Sequence, residues 1–181
     1  MWPAFRDAGK QLLAAGKCNR VLVAAVRNAP YPEPGPVSLL TEQPALTWAA
    51  ADAAIVKSGT ATLEGALAQV PMVVAYRVAA VTGFLVRRMG IKVEHASLVN
   101  LLVGHAVVPE LMQEDCTADR VAAAADELFR SEEAREVQRE GFREVIAILG
   151  EADPAPSERA AKVVLDSIRA QKAVDEAIGL S

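Results

Sequence analysis

The stretch Ala53-Ala-Ile-Val-Lys-Ser-Gly-Thr-Ala-Thr-Leu-Glu64 decides the fold of this chain. Its apolar start, Ala53–Val56, predicts a buried strand, and Ala61–Gln69 predicts a helix. A turn of small residues, Ser58–Thr60, connects the two. A strand, a tight turn and a helix start together direct several free backbone N–H groups to one point, where the helix dipole also favours negative charge. The stretch therefore predicts an anion site.

The side chains of this stretch suit a phosphate next to a sugar. Gly59 allows close approach to the backbone, and Thr60 is the predicted N-cap, with the hydroxyls of Ser58 and Thr62 nearby. Glu64 lies four residues after Thr60, so it is not the three-residue partner of a capping box and can accept hydrogen bonds from sugar hydroxyls. The alternative is a capped helix in an α/β core without a ligand.

A second apolar run, Pro71-Met-Val-Val-Ala-Tyr-Arg77, predicts the neighbouring strand. It places the cation of Arg77 at the carboxyl end of that strand. Ligands of open parallel sheets collect at this edge, so Arg77 joins the candidate site. The predicted fold class is α/β, a parallel sheet with flanking helices.

Composition excludes several classes of protein and site. The chain has 181 residues and is 52% hydrophobic, which is enough for one domain with a core. A net charge of -4 argues against a nucleic-acid partner. The cysteines and histidines, Cys18, Cys116, His95 and His105, do not form a metal-binding pattern, so we predict no metal site. We also expect neither a signal peptide nor a membrane span.

The rest of the pattern predicts alternating helices and strands, divided after residue 150 by Gly150–Pro156. Residues 1–150 are expected to form the main domain, and residues 151–181 a terminal helix and tail. The predicted elements are a helix Trp2–Ala15, a buried strand Asn19–Val26, a loop Asn28–Pro36, a short strand Val37–Leu40, a short helix Leu46–Ala51, a strand or extended loop Ser97–Leu102, and helices Thr117–Phe129, Ser131–Leu149 and Ser157–Ala170.

Four blocks, in this order, resemble the lipid-A-disaccharide synthases: Ser58–Glu64, Pro71–Arg77, Ser97–Leu102 and Leu111–Cys116. The resemblance covers about Trp2–Leu165. It implies the carboxyl-terminal, nucleotide-sugar-binding half of a two-domain GT-B glycosyltransferase of family 19, with a Rossmann-like sheet. The family's opening strand and its amino-terminal acceptor domain are expected to be absent, which would leave neighbouring strands unpaired at the middle of the sheet.

The resemblance implies an inverting hexosyltransferase of lipid A biosynthesis. The full enzyme would transfer 2,3-diacylglucosamine from its UDP donor to 2,3-diacylglucosamine 1-phosphate, giving lipid A disaccharide 1-phosphate and UDP. No cofactor is implied, and the catalytic base is expected in the absent half, so this chain alone should have little or no activity. The implied location is cytoplasmic, peripheral on the inner membrane of a Gram-negative-type bacterium, with a homodimer left open.

The resemblance also implies roles for the residues of the first two blocks. The backbone N–H groups of residues 58–60, helped by hydroxyls such as that of Thr62, would hold the diphosphate of the UDP-sugar donor. Arg77 would add a permanent cation. Glu64 would accept both ribose hydroxyls.

The later blocks add Asn100 and Gln113 to the candidate donor-binding residues, and Glu114 lies beside Gln113. Each has two interpretations: a contact with the donor, which the resemblance favours for Asn100, or a local role in the chain. For Gln113 and Glu114 the local role is a polar segment before the next helix. The sequence departs from the family at Val99, where proline is usual, and at His105, where arginine is usual. Both departures affect the shape expected for the loop around Asn100.

The segment Val78–Lys92 has an apolar part followed by three cations. One interpretation is a surface that contacts the membrane carrying the acylated glucosamine phosphate acceptor. The other is a helix that packs in the core and has a solvated basic end.

Two other functions stay open at this point. One is a different UDP-sugar GT-B glycosyltransferase with a soluble acceptor. The other is a non-catalytic nucleotide-binding module, for which Glu64→Ala would leave UDP affinity unchanged. A chain that fails to fold cooperatively would instead indicate an inert remnant.

Overall fold

The computed structural model describes residues 1–77, 95–150, 158 and 161–169. It contains two compact units, Met1–Ile146 and Ala147–Ser181. In the second unit, residues 158 and 161–169 are helical and exposed. The predicted membrane-contacting segment Val78–Lys92 and the predicted cap Ser157 lie outside the described residues.

Helices and strands alternate along the described chain. In order, they are α1 (Trp2–Ala14), β1 (Leu22–Ala25), β2 (Ser38–Thr41), α2 (Pro44–Ala49), β3 (Ala54–Lys57), α3 (Ala61–Leu67), β4 (Met72–Tyr76), α4 (Leu98–Val103), β5 (Glu110–Met112), a 3₁₀-helix (Gln113–Asp115), α5 (Ala118–Arg130) and α6 (Glu132–Gly150).

All described strand pairs are parallel, and they form two separate sheets. One sheet pairs β1 with β2, and in the other β4 lies between β3 and β5. Parallel sheets with flanking helices confirm the predicted α/β, Rossmann-like class. Among the described strands, β1 and β3 are not paired.

The sheet of β3, β4 and β5 is covered on both faces. Val73 and Ala75 of β4 belong to a hydrophobic cluster with α1 and α5. Met72 and Val74, which alternate with them, belong to a second cluster with α3, α4 and α6. Burial on both faces explains why β4 is a continuous apolar run in the sequence.

A buried side chain of α6 fixes the start of β4. Gln138 accepts a hydrogen bond from the Met72 backbone N–H at 2.7 Å and donates one to the Met72 carbonyl at 3.1 Å. Close packing of α6 needs Gly141, because a Cβ there would lie 2.4 Å from Val107 Cγ1. These contacts hold β4, and with it the edge of the sheet described below.

The prediction of a strand or extended loop over Ser97–Leu102 is wrong, because this segment is the helix α4. The Ser97 hydroxyl caps the helix by accepting a hydrogen bond from the Asn100 N–H at 3.2 Å. Gly104, with φ of 76°, ends it in the left-handed conformation. These two end signals outweigh the aliphatic character of the residues between them.

The parallel strand predicted over Asn19–Val26 is present, but its predicted extent and burial are wrong. The strand is limited to Leu22–Ala25, of which only Ala25 is buried, and Val26 is 68% exposed. Among the described strands, β2 alone pairs with β1, so β1 is not a central strand with a neighbour on each side.

Helix α3 ends before Gln69, which has φ of 56° and so cannot continue a helix.

Candidate functional site

The strands β3, β4 and β5 end at the same edge of their sheet. The residue after each strand is a predicted site residue: Ser58, Arg77 and Gln113. The parallel register places these three positions next to one another in turn. The predicted position of Arg77 at the carboxyl end of its strand is confirmed. Gln113 was assigned through the resemblance alone, because strand β5 was not predicted.

The turn after β3 offers three consecutive backbone donors. Within the described residues, the N–H groups of Gly59, Thr60 and Ala61 have no hydrogen-bond partner, whereas the next one, of Thr62, donates to the Gly59 carbonyl at 3.1 Å. Gly59 has φ of 148°, and a Cβ built there would meet no atom within 4 Å. The backbone at Gly59 is thus open on the side where a Cβ would stand, and consecutive N–H groups without a partner in such a turn suit the oxygen atoms of an anion. Helix α3 has only seven residues, so the donors matter more than its dipole.

The hydroxyls of this turn mostly shape the turn itself. Thr62 is buried and donates to the Gly59 carbonyl at 2.8 Å, and Ser58 donates to the Ala96 carbonyl at 2.5 Å. Thr60 occupies the predicted N-cap position of α3, but its side chain makes no cap hydrogen bond. Thr60 already has helical dihedral angles, φ of -59° and ψ of -27°, instead of the extended conformation of a capping residue.

Glu64 is exposed in the first turn of α3. The indole Nε1–H of Trp48 donates to its Oε2 at 3.3 Å. Both residues line a groove of about 580 Å³ between α2 and α3, whose other walls are Pro44, Ala45, Ala49, Leu67 and Ala68. The carboxylate is therefore accessible to a ligand, beside a groove with an apolar wall.

Arg77 joins β4 to the segment after β5. Its guanidinium donates from Nε to the Gln113 carbonyl at 3.2 Å and from Nη2 to the Cys116 carbonyl at 2.6 Å. Gln113 is half-buried with φ of 52°, a conformation that costs energy for a residue with a side chain. Glu114 is exposed in the same 3₁₀-helix. The cation of Arg77 thus remains at the edge, and contacts of the Gln113 and Glu114 side chains with a donor stay predictions.

The Asn100 amide is buried, with 1% of the residue exposed, and its hydrogen bonds are local. Its Oδ1 accepts from the N–H groups of Val107 and Val108 at 2.8 and 3.0 Å. Its Nδ2 donates to the Val108 carbonyl at 2.9 Å and to Glu110 at 2.7 Å. These four bonds use the hydrogen-bonding groups of the amide, so Asn100 fixes the loop between α4 and β5. A ligand contact by this residue stays a prediction.

Sequence reasoning missed the role of Glu110. Its carboxylate accepts hydrogen bonds from the backbone N–H groups of Ala96 and Ser97 at 2.7 and 2.9 Å, from the Ser97 hydroxyl at 2.7 Å, and from Asn100. Because Ser58 donates to the Ala96 carbonyl, the carboxylate is connected to the turn after β3. No local sequence signal indicated this, since the partners lie 10 to 14 residues away.

Two more residues of the site region were missed. Lys57, the last residue of β3, adds a cation at the same edge and lies 6.0 Å from the centre of the Tyr76 ring. Its position directly before Ser58 was a usable signal. Trp48 gave no such signal, because only the fold brings α2 next to α3.

Neither a membrane span nor a metal cluster is found in the described part of the chain. No helix there has the length and apolar character needed to cross a bilayer. No group of three or more His, Cys, Asp or Glu side chains there is arranged to hold a metal ion. Both cysteines are free, and burial raises the pKa of the Cys18 thiol.

Comparison with known proteins decides the family. A family model described as lipid-A-disaccharide synthetase matches residues 37–164, which is more than half of the chain. The chain belongs to this family. The match extends from the start of β2 through α6 and includes every predicted site residue. The resemblance inferred from the four sequence blocks is confirmed.

Individual relatives in the family agree. The chain is 48% identical over 121 residues to the lipid-A-disaccharide synthase of Rhodospirillum centenum, covering 67% of this chain and 30% of that relative. It is 44% identical over 126 residues to that of Paramagnetospirillum magneticum, covering 69% and 32%. Identity to that of Anaeromyxobacter dehalogenans (strain 2CP-C) is 46% over 120 residues, covering 66% and 30%. The chain thus spans about a third of the length of the curated relatives it matches.

Proposed function

We propose that this chain is the nucleotide-sugar-binding part of a lipid-A-disaccharide synthase. In the proposed reaction, 2,3-diacylglucosamine passes from its UDP donor to 2,3-diacylglucosamine 1-phosphate. The bond between the anomeric carbon and the β-phosphate oxygen breaks, and its electron pair leaves with UDP. A hydroxyl of the acceptor forms the new bond with inversion, and its proton goes to a base that we do not assign within this chain.

The observation that carries the proposal is the row of N–H groups at residues 59–61 that have no hydrogen-bond partner among the described residues, next to the open Cβ side of Gly59. The N–H groups of Gly59, Thr60 and Ala61 would donate to diphosphate oxygens. The turn fixes these N–H groups before the ligand binds. Their hydrogen bonds to the diphosphate would therefore strengthen as negative charge develops on the leaving UDP. The cation of Arg77, at the same edge, would favour the same charge.

Glu64 would fix the nucleoside by accepting hydrogen bonds from the two ribose hydroxyls. An ionised carboxylate accepts only, and it has lone pairs enough for two hydroxyls and the indole N–H of Trp48. Its position in the first turn of α3 places it close to the donors at residues 59–61. A diphosphate next to a ribose is what this pair of features fits.

The remaining predicted residues have supporting roles in this proposal. The hydroxyls of Ser58 and Thr62 stabilise the turn by donating to backbone carbonyls. Asn100 and Glu110 are hydrogen-bonded to each other and fix the backbone beside the turn. Gln113 follows β5 at the same edge, and we propose that its side chain contacts the donor sugar.

The proposed acceptor is an acylated glucosamine phosphate, which is held at a membrane surface. The acylated acceptor would require action at the cytoplasmic surface of the inner membrane of a Gram-negative-type bacterium. We propose that residues 78–92 contribute to that contact. Co-sedimentation with anionic lipid vesicles tests it. A homodimer is kept as a prediction from the sequence.

Calorimetric titration of the purified 181-residue chain with UDP and with uridine tests the proposal. We expect UDP to bind at least about tenfold more tightly than uridine, because only UDP reaches the donors at residues 59–61. We expect no detectable sugar transfer by this chain alone. Equal affinity for the two compounds, or no UDP binding at millimolar concentration, would contradict the donor site. Robust turnover would show that the expected inactivity is wrong.

A further inference from the structure

The Glu64 carboxylate has one hydrogen-bond partner in the part of the chain that the structure describes. That partner is the Nε1–H of Trp48, at 3.3 Å from Oε2. An exposed glutamate side chain rotates freely, and binding a ligand then costs the entropy of fixing it. A donor that is itself fixed reduces that cost. The question is therefore whether Trp48 is held in place.

Trp48 is held by close packing on α3 and the core. It lies against the cluster that contains Val56 and Met72. The helix admits the ring only because position 65 is glycine: a Cβ there would lie 2.9 Å from Trp48 Cη2 and 3.1 Å from Cζ3. The six-membered ring is thus confined between α2 and α3, while its N–H reaches Glu64. An indole can donate there but cannot accept.

We infer that Trp48 is a positioning residue for Glu64. Its N–H holds Oε2 and orients the carboxylate toward the groove between α2 and α3, so that both oxygens meet a vicinal diol in the geometry of a ribose. The inference rests on the proposed function, in which Glu64 binds the ribose of the donor. The inference goes beyond the proposed function by assigning ribose selectivity to Trp48, which lies on a different helix from Glu64.

The two roles available to Trp48, packing and hydrogen bonding, predict different results. Trp48→Phe keeps an aromatic ring near Gly65 and removes only the N–H donor. A role in packing alone affects every ligand of the site to the same degree. A role in orienting Glu64 affects only ligands that have ribose hydroxyls.

The experiment measures the affinity of the full 181-residue chain for UDP and for 2′,3′-dideoxyuridine 5′-diphosphate. Trp48→Phe is expected to weaken UDP binding about tenfold, the cost of ordering one side chain that is no longer held, and to change the affinity for the dideoxy compound by less than about twofold. In a Glu64→Ala background, Trp48→Phe should have no further effect on UDP. Trp2→Phe is the matched control, since it also removes an indole donor. The Nε1–H of Trp2 donates to the Pro32 carbonyl at 2.9 Å, away from the groove.

The outcomes separate the inference from the proposed function. Selective loss of UDP affinity, absent from Trp2→Phe and from the Glu64→Ala background, supports the inference. UDP binding that Trp48→Phe leaves unchanged, or weakens equally for both compounds, overturns the inference and leaves the proposed function standing. If the unmodified chain binds neither compound, the proposed function fails and the inference fails with it.

Discussion

Replacing Asn100 by alanine is expected to lower the free energy of unfolding by about 3–5 kcal/mol, because several buried polar groups lose their partner at about 1–3 kcal/mol each. The amide satisfies the N–H groups of Val107 and Val108, the Val108 carbonyl and one oxygen of Glu110. Its removal leaves these groups without that partner in a site too buried for water to reach freely. Urea unfolding followed by circular dichroism measures the effect.

The control for this substitution is Asn19→Ala, since Asn19 is exposed and lies outside the helices and strands. Its effect should stay within about 0.5 kcal/mol, as is usual for surface positions. Urea unfolding and UDP titration of the Asn100→Ala variant together decide between the two roles predicted for Asn100. A loss below about 1 kcal/mol, together with a large fall in UDP affinity, would contradict the local role and favour direct contact with the ligand.

Replacing Glu64 by alanine is expected to weaken UDP binding by about tenfold to a hundredfold. In the proposed site, the substitution would remove the two hydrogen bonds from the ribose hydroxyls to a charged acceptor, and it would leave the donors at residues 59–61 intact. Glu64 is exposed and makes one hydrogen bond within the described chain, so the stability of the protein should change little. Calorimetric titration with UDP measures the affinity.

The matched control is Glu133→Ala. Glu133 is also an exposed glutamate in the first turn of a helix, α6, so its loss removes the same charge in a similar helical position. We expect unchanged UDP affinity in that variant. If Glu64→Ala binds UDP as tightly as the unmodified chain, the ribose role is wrong and a nucleotide-binding module of another kind becomes the better interpretation.

The class of fold and the central part of the sheet were predictable because their signals are local. The apolar run of β4 and the glycine turn after β3 each follow from neighbouring residues. The exposure of β1 was not predictable from its own residues, because burial of a strand depends on which strands stand beside it. The helix α4 was missed because its cap and its terminal glycine carried more weight than its aliphatic middle.

The candidate site divides in the same way. Ser58 and Arg77 were assigned to one edge because each follows a predicted strand, whereas Gln113 was assigned only through the family resemblance. Trp48 and Glu110 were missed because their importance comes from partners that are distant in the sequence. Trp48 meets Glu64 across two helices, and Glu110 meets the backbone of Ala96.

The most direct measurement is a UDP titration observed by ¹H–¹⁵N correlation spectroscopy of the backbone amides. The amide signals of Gly59, Thr60 and Ala61 should show the largest shifts and saturate together, because we propose that their N–H groups donate to the diphosphate oxygens. Uridine, which has no phosphate, should leave these three signals in place. Saturable UDP binding that leaves the three amides unshifted would contradict the central claim.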